Sequence, residues 1–214
     1  MSKFFNPDTP LMQFLTRLAD LIILNLLFLL TSLPVITIGA SWTALYCMTL
    51  KMVQDEEEAI AKSYFYAFRH HFRRATLLWM GIMALAVLIL LDMLILARTP
   101  GYAAVIVRTV IEVLAFLLLM ILQYLFPYLA QFDASIRETI RNACLLAFAY
   151  LPKTAMMAIA VIGAIYISGF NNLTISISIA LWLLLGFAVI ALGYSAILEK
   201  IFSAILQKNC HRKG

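Results

Sequence analysis

Charge is what this sequence has least of. Only 13% of its 214 residues are charged, 16 basic and 11 acidic, against 64% apolar, and the mean hydropathy is +0.96. Soluble chains run near a quarter charged and half apolar. The shortage excludes a conventional soluble domain, a disordered chain and a collagen-like repeat. Cysteine is scarce as well: Cys47, Cys144 and Cys210 are odd in number and widely spaced. That pattern supports neither a disulfide framework nor a metal site, and Cys210-His211 reads as ordinary tail. Histidine is limited to His70, His71 and His211, all outside the apolar runs. There is no G-x-S-x-G, no H-E-x-x-H, no phosphate-cradling glycine loop and no pair of carboxylates within a run. The expectation is therefore not an enzyme, with no cofactor and no metal.

What is present is long stretches without charge. Residues 21–50, 75–91, 113–132 and 154–198 form runs of 30, 17, 20 and 45 residues. A span needs about 20 apolar residues at 1.5 Å each, so the last run is about two membranes long. Its middle, Ser168-Gly169-Phe170-Asn171-Asn172, has turn composition and divides it into helices near 154–168 and 175–198. The first run divides less clearly. Pro34 lacks an N–H and disfavours helix at Leu33, and Val35-Ile36-Thr37-Ile38-Gly39 reads as a turn. Pro34 and Gly39 are thus candidate structural-turn residues on the outer side, between helices near 18–34 and 40–53. The fold class expected is all-α: a polytopic helical membrane bundle with spans near 18–34, 40–53, 75–97, 108–130, 154–168 and 175–198. Five spans is the alternative to six, because 40–53 is short.

Basic residues favour six. With both termini on one side, all of the 16 basic residues except Arg98 and Arg108 fall on that side. Five spans would move Lys3 and Arg17 across as well. By the positive-inside rule the N- and C-termini are cytoplasmic and the protein is a multi-pass protein of the inner (plasma) membrane. The same bias accounts for the net charge of +5, so no nucleic-acid partner is expected; the lipid bilayer is the principal partner. The first apolar run starts only after Arg17 and Asp20, lacks an A-x-A site, and reads as a span rather than a cleavable signal.

Two charged elbows lie on the cytoplasmic side. The first opens with Asp55-Glu56-Glu57-Glu58 and turns basic and aromatic. Phe65, Phe68 and Phe72 share a helical face at i, i+3, i+7 spacing, while Arg69 and Arg73 lie away from it beside Arg74. Such a segment suits an amphipathic helix at the headgroups, with His70 and His71 as a solvated pair. Arg69, Arg73, Arg74, Arg137 and Arg141 are the candidate cytoplasmic docking residues. About 80 residues on, Ala147-Phe148 through Lys153-Thr154-Ala155 parallels Ala67-Phe68 through Arg73-Arg74-Ala75, with Gln54-Asp55 answering Gln131-Phe132-Asp133. A weak repeat would relate the second and third spans to the fourth and fifth. The second elbow also sits where permeases of ABC importers place a coupling helix, but it has neither the Glu-Ala-Ala start nor the internal glycine.

Ionisable residues at membrane depth mark sites or clamps. Asp92, Arg108 and Glu112 form a candidate intramembrane polar cluster near the outer face. Arg108 and Glu112 are i, i+4, and Asp92 is placed to pair with Arg108. Asn25 and Gln123 are expected to seek interhelical partners. Trp42, Tyr46 and Trp79 are placed as interface anchors.

The N-terminal part carries a resemblance. Phe5-Asn6-Pro7-Asp8, Arg17-Leu18-Ala19-Asp20, Leu24-Asn25-Leu26-Leu27-Phe28 and Leu33-Pro34 through Ala40-Ser41 are followed by Thr43-Ala44-Leu45-Tyr46. Asp55-Glu56-Glu57, Ala67-Phe68-Arg69 and Ala75-Thr76-Leu77-Leu78-Trp79 complete the pattern. Over residues 4–80 this resembles the YesL family, bacterial membrane proteins grouped by a domain of unknown function. Asn6-Pro7-Asp8 fits a turn with Asp8 capping the first span, and Thr37 or Ser41 fits a cap of the second. The resemblance implies a setting beside carbohydrate-uptake and polysaccharide-degradation genes, and it brings no catalytic or binding residues. The function expected is an accessory or regulatory component working with a carbohydrate transporter. The alternative is a small transporter or ABC-permease-like subunit moving a sugar-type solute.

Overall fold

The computed structural model describes residues 10–56, 59–99, 101–169 and 172–211. The turn at Asn6-Pro7-Asp8, the acidic Glu57-Glu58 and Phe170-Asn171 lie outside the described residues. Among those described there is no strand. The helices are α1 (Pro10–Ser32), α2 (Ile38–Val53, entered through a 3-10 turn at Val35–Thr37), α3 (Ile60–Leu96), α4 (Tyr102–Phe132), α5 (Ile136–Ala149), α6 (Leu151–Ser168), α7 (Asn172–Leu181) and α8 (Phe187–His211). A π-helical turn, Trp182–Gly186, joins the last two without a break. The fold is the expected all-α polytopic bundle.

Five of these elements are long and apolar enough to cross a membrane: Met12–Ser32, Ile60–Leu96, Tyr102–Phe132, Leu151–Ser168 and Ile175–Ala204. The sixth expected span, α2, has 16 residues, roughly 24 Å at 1.5 Å per residue and short of the ~30 Å hydrocarbon core. It is instead the packing centre. Gly39, Ala40, Ser41, Thr43, Ala44, Leu45, Tyr46, Met48, Thr49 and Leu50 are all buried, and α2 touches α1, α3, α4 and α8. Small residues let helices approach where apolar burial gives no drive between them. An ion pair from Arg17 near the start of α1 to Asp55 just after α2 closes this pair as a hairpin. The chain therefore returns to the end of the bundle from which α1 began, as a six-span topology also requires.

Gly39 works by closeness rather than as a turn glycine. It is helical, and a Cβ there would stand 2.6 Å from the Ala75 carbonyl oxygen and 2.6 Å from Trp79 Cβ. Pro34 precedes the 3-10 turn in extended conformation, and Trp79 Nε1 donates to the Val35 carbonyl at 2.8 Å. The turn thus lies level with Ala75–Trp79. It does not lie at the far end of α3, which runs another 17 residues to Leu96, roughly 25 Å further.

The first elbow is a correction. In place of a separate surface helix followed by a span, α3 is one continuous 37-residue helix. Its buried face is Tyr64, Ala67, His71, Ala75 and Leu78, one register away from the expected aromatic face; Phe65 and Phe72 are exposed. The second elbow is a separate helix. Ser135 caps α5 in a capping box: its hydroxyl accepts from the Glu138 N–H, and the Glu138 carboxylate accepts from the Ser135 N–H. The two elbow units therefore share their starts but not their sequels. Asp55 (φ 57°) and Asp133 (φ 44°) are the non-glycine residues with positive φ among those described. They follow α2 and α4, and each takes an arginine from another helix.

Trp42 and Tyr46 are also placed differently from the interface expectation. They pack in an aromatic cluster with Phe28 and Phe187, with centroids 4.9–6.1 Å apart. Burial concentrates there and around Tyr124, Met157, Leu198 and Phe202. The far halves of α3 and α4 expose Leu88, Leu90, Leu94, Val105, Ile106 and Val110, the surface a lipid-facing hairpin needs.

Candidate functional site

The outer polar cluster does not assemble. Arg108 Nε donates to Glu112 Oε1 at 2.8 Å, the expected i, i+4 pair, with both side chains about half exposed. Asp92 is exposed and pairs with neither. Gln123 is a second correction, since its Oε1 is buried with no hydrogen-bond partner.

Asn25 does find partners. Fully buried, it donates through Nδ2 to the carbonyls of Trp182 (3.1 Å) and Leu183 (2.7 Å), and its Oδ1 accepts from the Ala188 N–H at 3.1 Å. The π-helical turn displaces these backbone groups from regular helical pairing, and one amide side chain on α1 satisfies three of them. Beside the turn is an apolar hollow of about 320 Å³ lined by Ala164, Leu181, Trp182, Leu185, Gly186, Val189 and Ile190. None of these is ionisable.

The concentration of chemistry lies at the other end, on Asp133. Left-handed backbone lets Asp133 end α4 and turns its carboxylate back toward the middle of α3. His70 Nε2 is 3.1 Å from Oδ2, His71 Nδ1 is 3.5 Å from Oδ1, and Arg74 Nη1 donates to Oδ1 and, at 2.8 Å, to the Asp133 carbonyl. His70 also stacks on Tyr66 with centroids 6.0 Å apart. This group lies ahead of the charge-free part of α3 that begins at Ala75. Partial burial acts to raise the Asp133 pKa. The His70 hydrogen bond and the charges of Arg74, His70 and His71 outweigh it and hold the carboxyl below its usual range. For His71, burial first and the neighbouring His70 second push the imidazole pKa down.

The expected solvated histidine pair is thus split. His70 is exposed, whereas His71 is 5% exposed and belongs to the buried face of α3. Of the five candidate docking arginines, Arg74 is engaged by Asp133. Arg69, Arg73, Arg137 and Arg141 are exposed and make no ion pair among the described residues. Through Asp133 the basic turn of α3 and the Ser135 cap of α5 become neighbours. Two signals in the chain pointed here: Ser135-x-x-Glu138, a capping box, and an aspartate immediately after a long apolar run.

Residues 21–93 match the family described as a protein of unknown function, DUF624. The matched segment runs from within α1 almost to the end of α3, so it includes Pro34, Gly39, His70, His71 and Arg74 but not Asp133. The chain is also 30% identical over 146 residues to "Uncharacterized protein YteU" of Bacillus subtilis (strain 168). That alignment covers 68% of this chain and 65% of YteU, so the chain spans just under two thirds of that relative's length. No solved structure matches.

Proposed function

We propose that this protein is a non-enzymatic accessory or regulatory component of the bacterial plasma membrane, a member of the YesL-type family that residues 4–80 resemble and that the match over 21–93 supports. In this reading both termini and the Asp133 end face the cytoplasm, and a partner membrane protein docks on Arg69, Arg73, Arg137 and Arg141. The observation that carries it is the Asp133 junction. It ties the basic turn of α3 to the corner where α5 begins, and Arg69, Arg73, Arg137 and Arg141 are exposed on the two segments it joins, available to an acidic partner. Rim charges of this kind set encounter rate and partner choice more than raw affinity. The partner class, a carbohydrate transporter, follows from the family setting that the resemblance implies. A transporter reading would need Asp92, Arg108 and Glu112 to line a passage together, whereas Arg108 and Glu112 pair with each other half exposed and Asp92 is exposed and pairs with neither.

The test is gentle detergent extraction of tagged protein from its own host after cross-linking in cells, with mass spectrometry of what accompanies it. Stoichiometric recovery of sugar-transporter subunits, lost in an R69A/R73A variant and kept in D92N and E112Q, is the expected result. Recovery of the protein alone, or losses following D92N and E112Q instead, would sink the reading.

A further inference from the structure

The Asp133 junction has more donors than a salt bridge uses. His70, His71 and Asp133 each offer one ligand atom, and the three atoms lie within 4.8 Å of one another. Adjacent helical residues point about 100° apart, so two successive histidines rarely address one point. Here a left-handed aspartate from another helix places its carboxylate between them. Two imidazoles and one carboxylate form a donor set that borderline divalent transition ions accept, whereas Mg²⁺ and Ca²⁺ prefer oxygen alone.

Two details favour an ion at this group. The first is His71, whose side chain is 6% exposed and whose Nδ1 is buried without a hydrogen-bond partner. Buried polar atoms are normally satisfied, and this one faces Asp133 Oδ1 from 3.5 Å, beyond hydrogen-bond range. The second is the 3.1 Å between His70 Nε2 and Asp133 Oδ2. Two ligands on a tetrahedral ion with bonds of about 2.0–2.1 Å stand roughly 3.3 Å apart. The third donor, His71 Nδ1, stands 3.5 Å from the other carboxylate oxygen, Asp133 Oδ1.

We propose that His70, His71 and Asp133 form a binding site for a divalent transition-metal ion of the zinc class, with the fourth position open to solvent beside the exposed His70. Arg74 is the competitor. Its guanidinium holds Asp133 Oδ1, and its charge opposes a cation. At 44% exposure it has room to swing outward while the ion takes the carboxylate. The junction then has two states, latched by arginine or latched by metal, and both tie α3 to the α4–α5 corner. This site is independent of the docking reading: metal binding is measured on purified protein with no partner present.

The experiment is titration of full-length, detergent-solubilised protein, carrying no polyhistidine tag, with Co²⁺ as a spectroscopic stand-in and then with Zn²⁺. One equivalent per chain should give the visible absorption of low-symmetry cobalt, and Zn²⁺ should displace it. H70Q removes an exposed ligand without touching the core and should weaken binding roughly tenfold or more, the scale on which even supporting contacts act. D133N should do the same, and R74Q should tighten binding. A C210S/H211Q variant should bind like the parent, which separates this site from the tail. No stoichiometric binding, or an equivalent that survives both H70Q and D133N, overturns the proposal.

Discussion

Gly39 shows how one missing methyl group sets the distance between two helices. With the Ala75 carbonyl and Trp79 Cβ each 2.6 Å from where a Cβ would lie, Gly39→Ala must push α2 off α3. Overpacking of this kind costs about 1–3 kcal/mol. Thermal unfolding in detergent should show a lower midpoint for G39A, while G193A, with open space around its new methyl, should match or exceed the parent. An equal response from both would mean that the contact is unimportant. Asn25 makes the complementary case. Asn25→Leu keeps the volume but strands two carbonyls and one N–H beside the π-helical turn, and an unsatisfied buried group costs about 1–3 kcal/mol. The midpoint should fall, and hydrogen exchange should rise at Ala188 and its neighbours. Unchanged exchange there would show that the turn satisfies itself. Both residues were visible in the sequence, Gly39 as a turn and Asn25 as interhelical glue. Only Asn25 kept that role, because a turn glycine and a contact glycine look alike until the partner helix is known.

Among the elements, α5 carries a pH dependence that can be signed. The Ser135 hydroxyl first, and its backbone N–H second, hold the Glu138 pKa below the usual carboxylate value. A carboxyl whose pKa is depressed by folding adds stability above its unfolded pKa and loses it as pH falls through the folded one. Amide protection over residues 136–140 should therefore weaken below about pH 4, near and beneath the ordinary glutamate range. Ser135→Ala should lower protection at neutral pH and flatten this dependence. Protection that does not differ between parent and S135A at pH 7 would remove the box as the cause. The apolar cores of α3, α4, α6 and α7–α8 were legible as charge-free runs, although the element lengths were not: α3 begins 15 residues ahead of its run. Nor was the face of α3. Phe65, Phe68 and Phe72 marked an apolar face suited to the headgroups and left open the helix contacts, which Tyr64, Ala67, His71 and Ala75 make. In water the larger apolar side chains turn inward; next to lipid they have no such preference, and small residues take the helix contacts.

For the whole molecule, the Arg17–Asp55 pair and the junction at Asp133 make a definite topology testable. In a background lacking Cys47, Cys144 and Cys210, a membrane-impermeant thiol reagent applied to intact cells should label Thr99→Cys but not Lys62→Cys or Arg137→Cys. All three should react after lysis. Labelling of Lys62→Cys from outside would overturn the N-in, C-in arrangement. The basic residues set an expectation of sidedness without showing how α2 would serve it: a helix too short to be an ordinary span still brings the chain back. The junction itself was out of reach, because no spacing rule joins residues 70–74 to residue 133.

The unbroken course of α3 has a mechanical meaning. A surface helix hinged to a span can be moved without disturbing the membrane, but a rod cannot be turned at one end only. From Arg74 to Leu96 is roughly 33 Å at 1.5 Å per residue, so a tilt of about 10° about the Asp133 pivot sweeps the distal tip through about 6 Å. Whatever grips the wet end of this helix holds a lever whose other arm lies in the lipid.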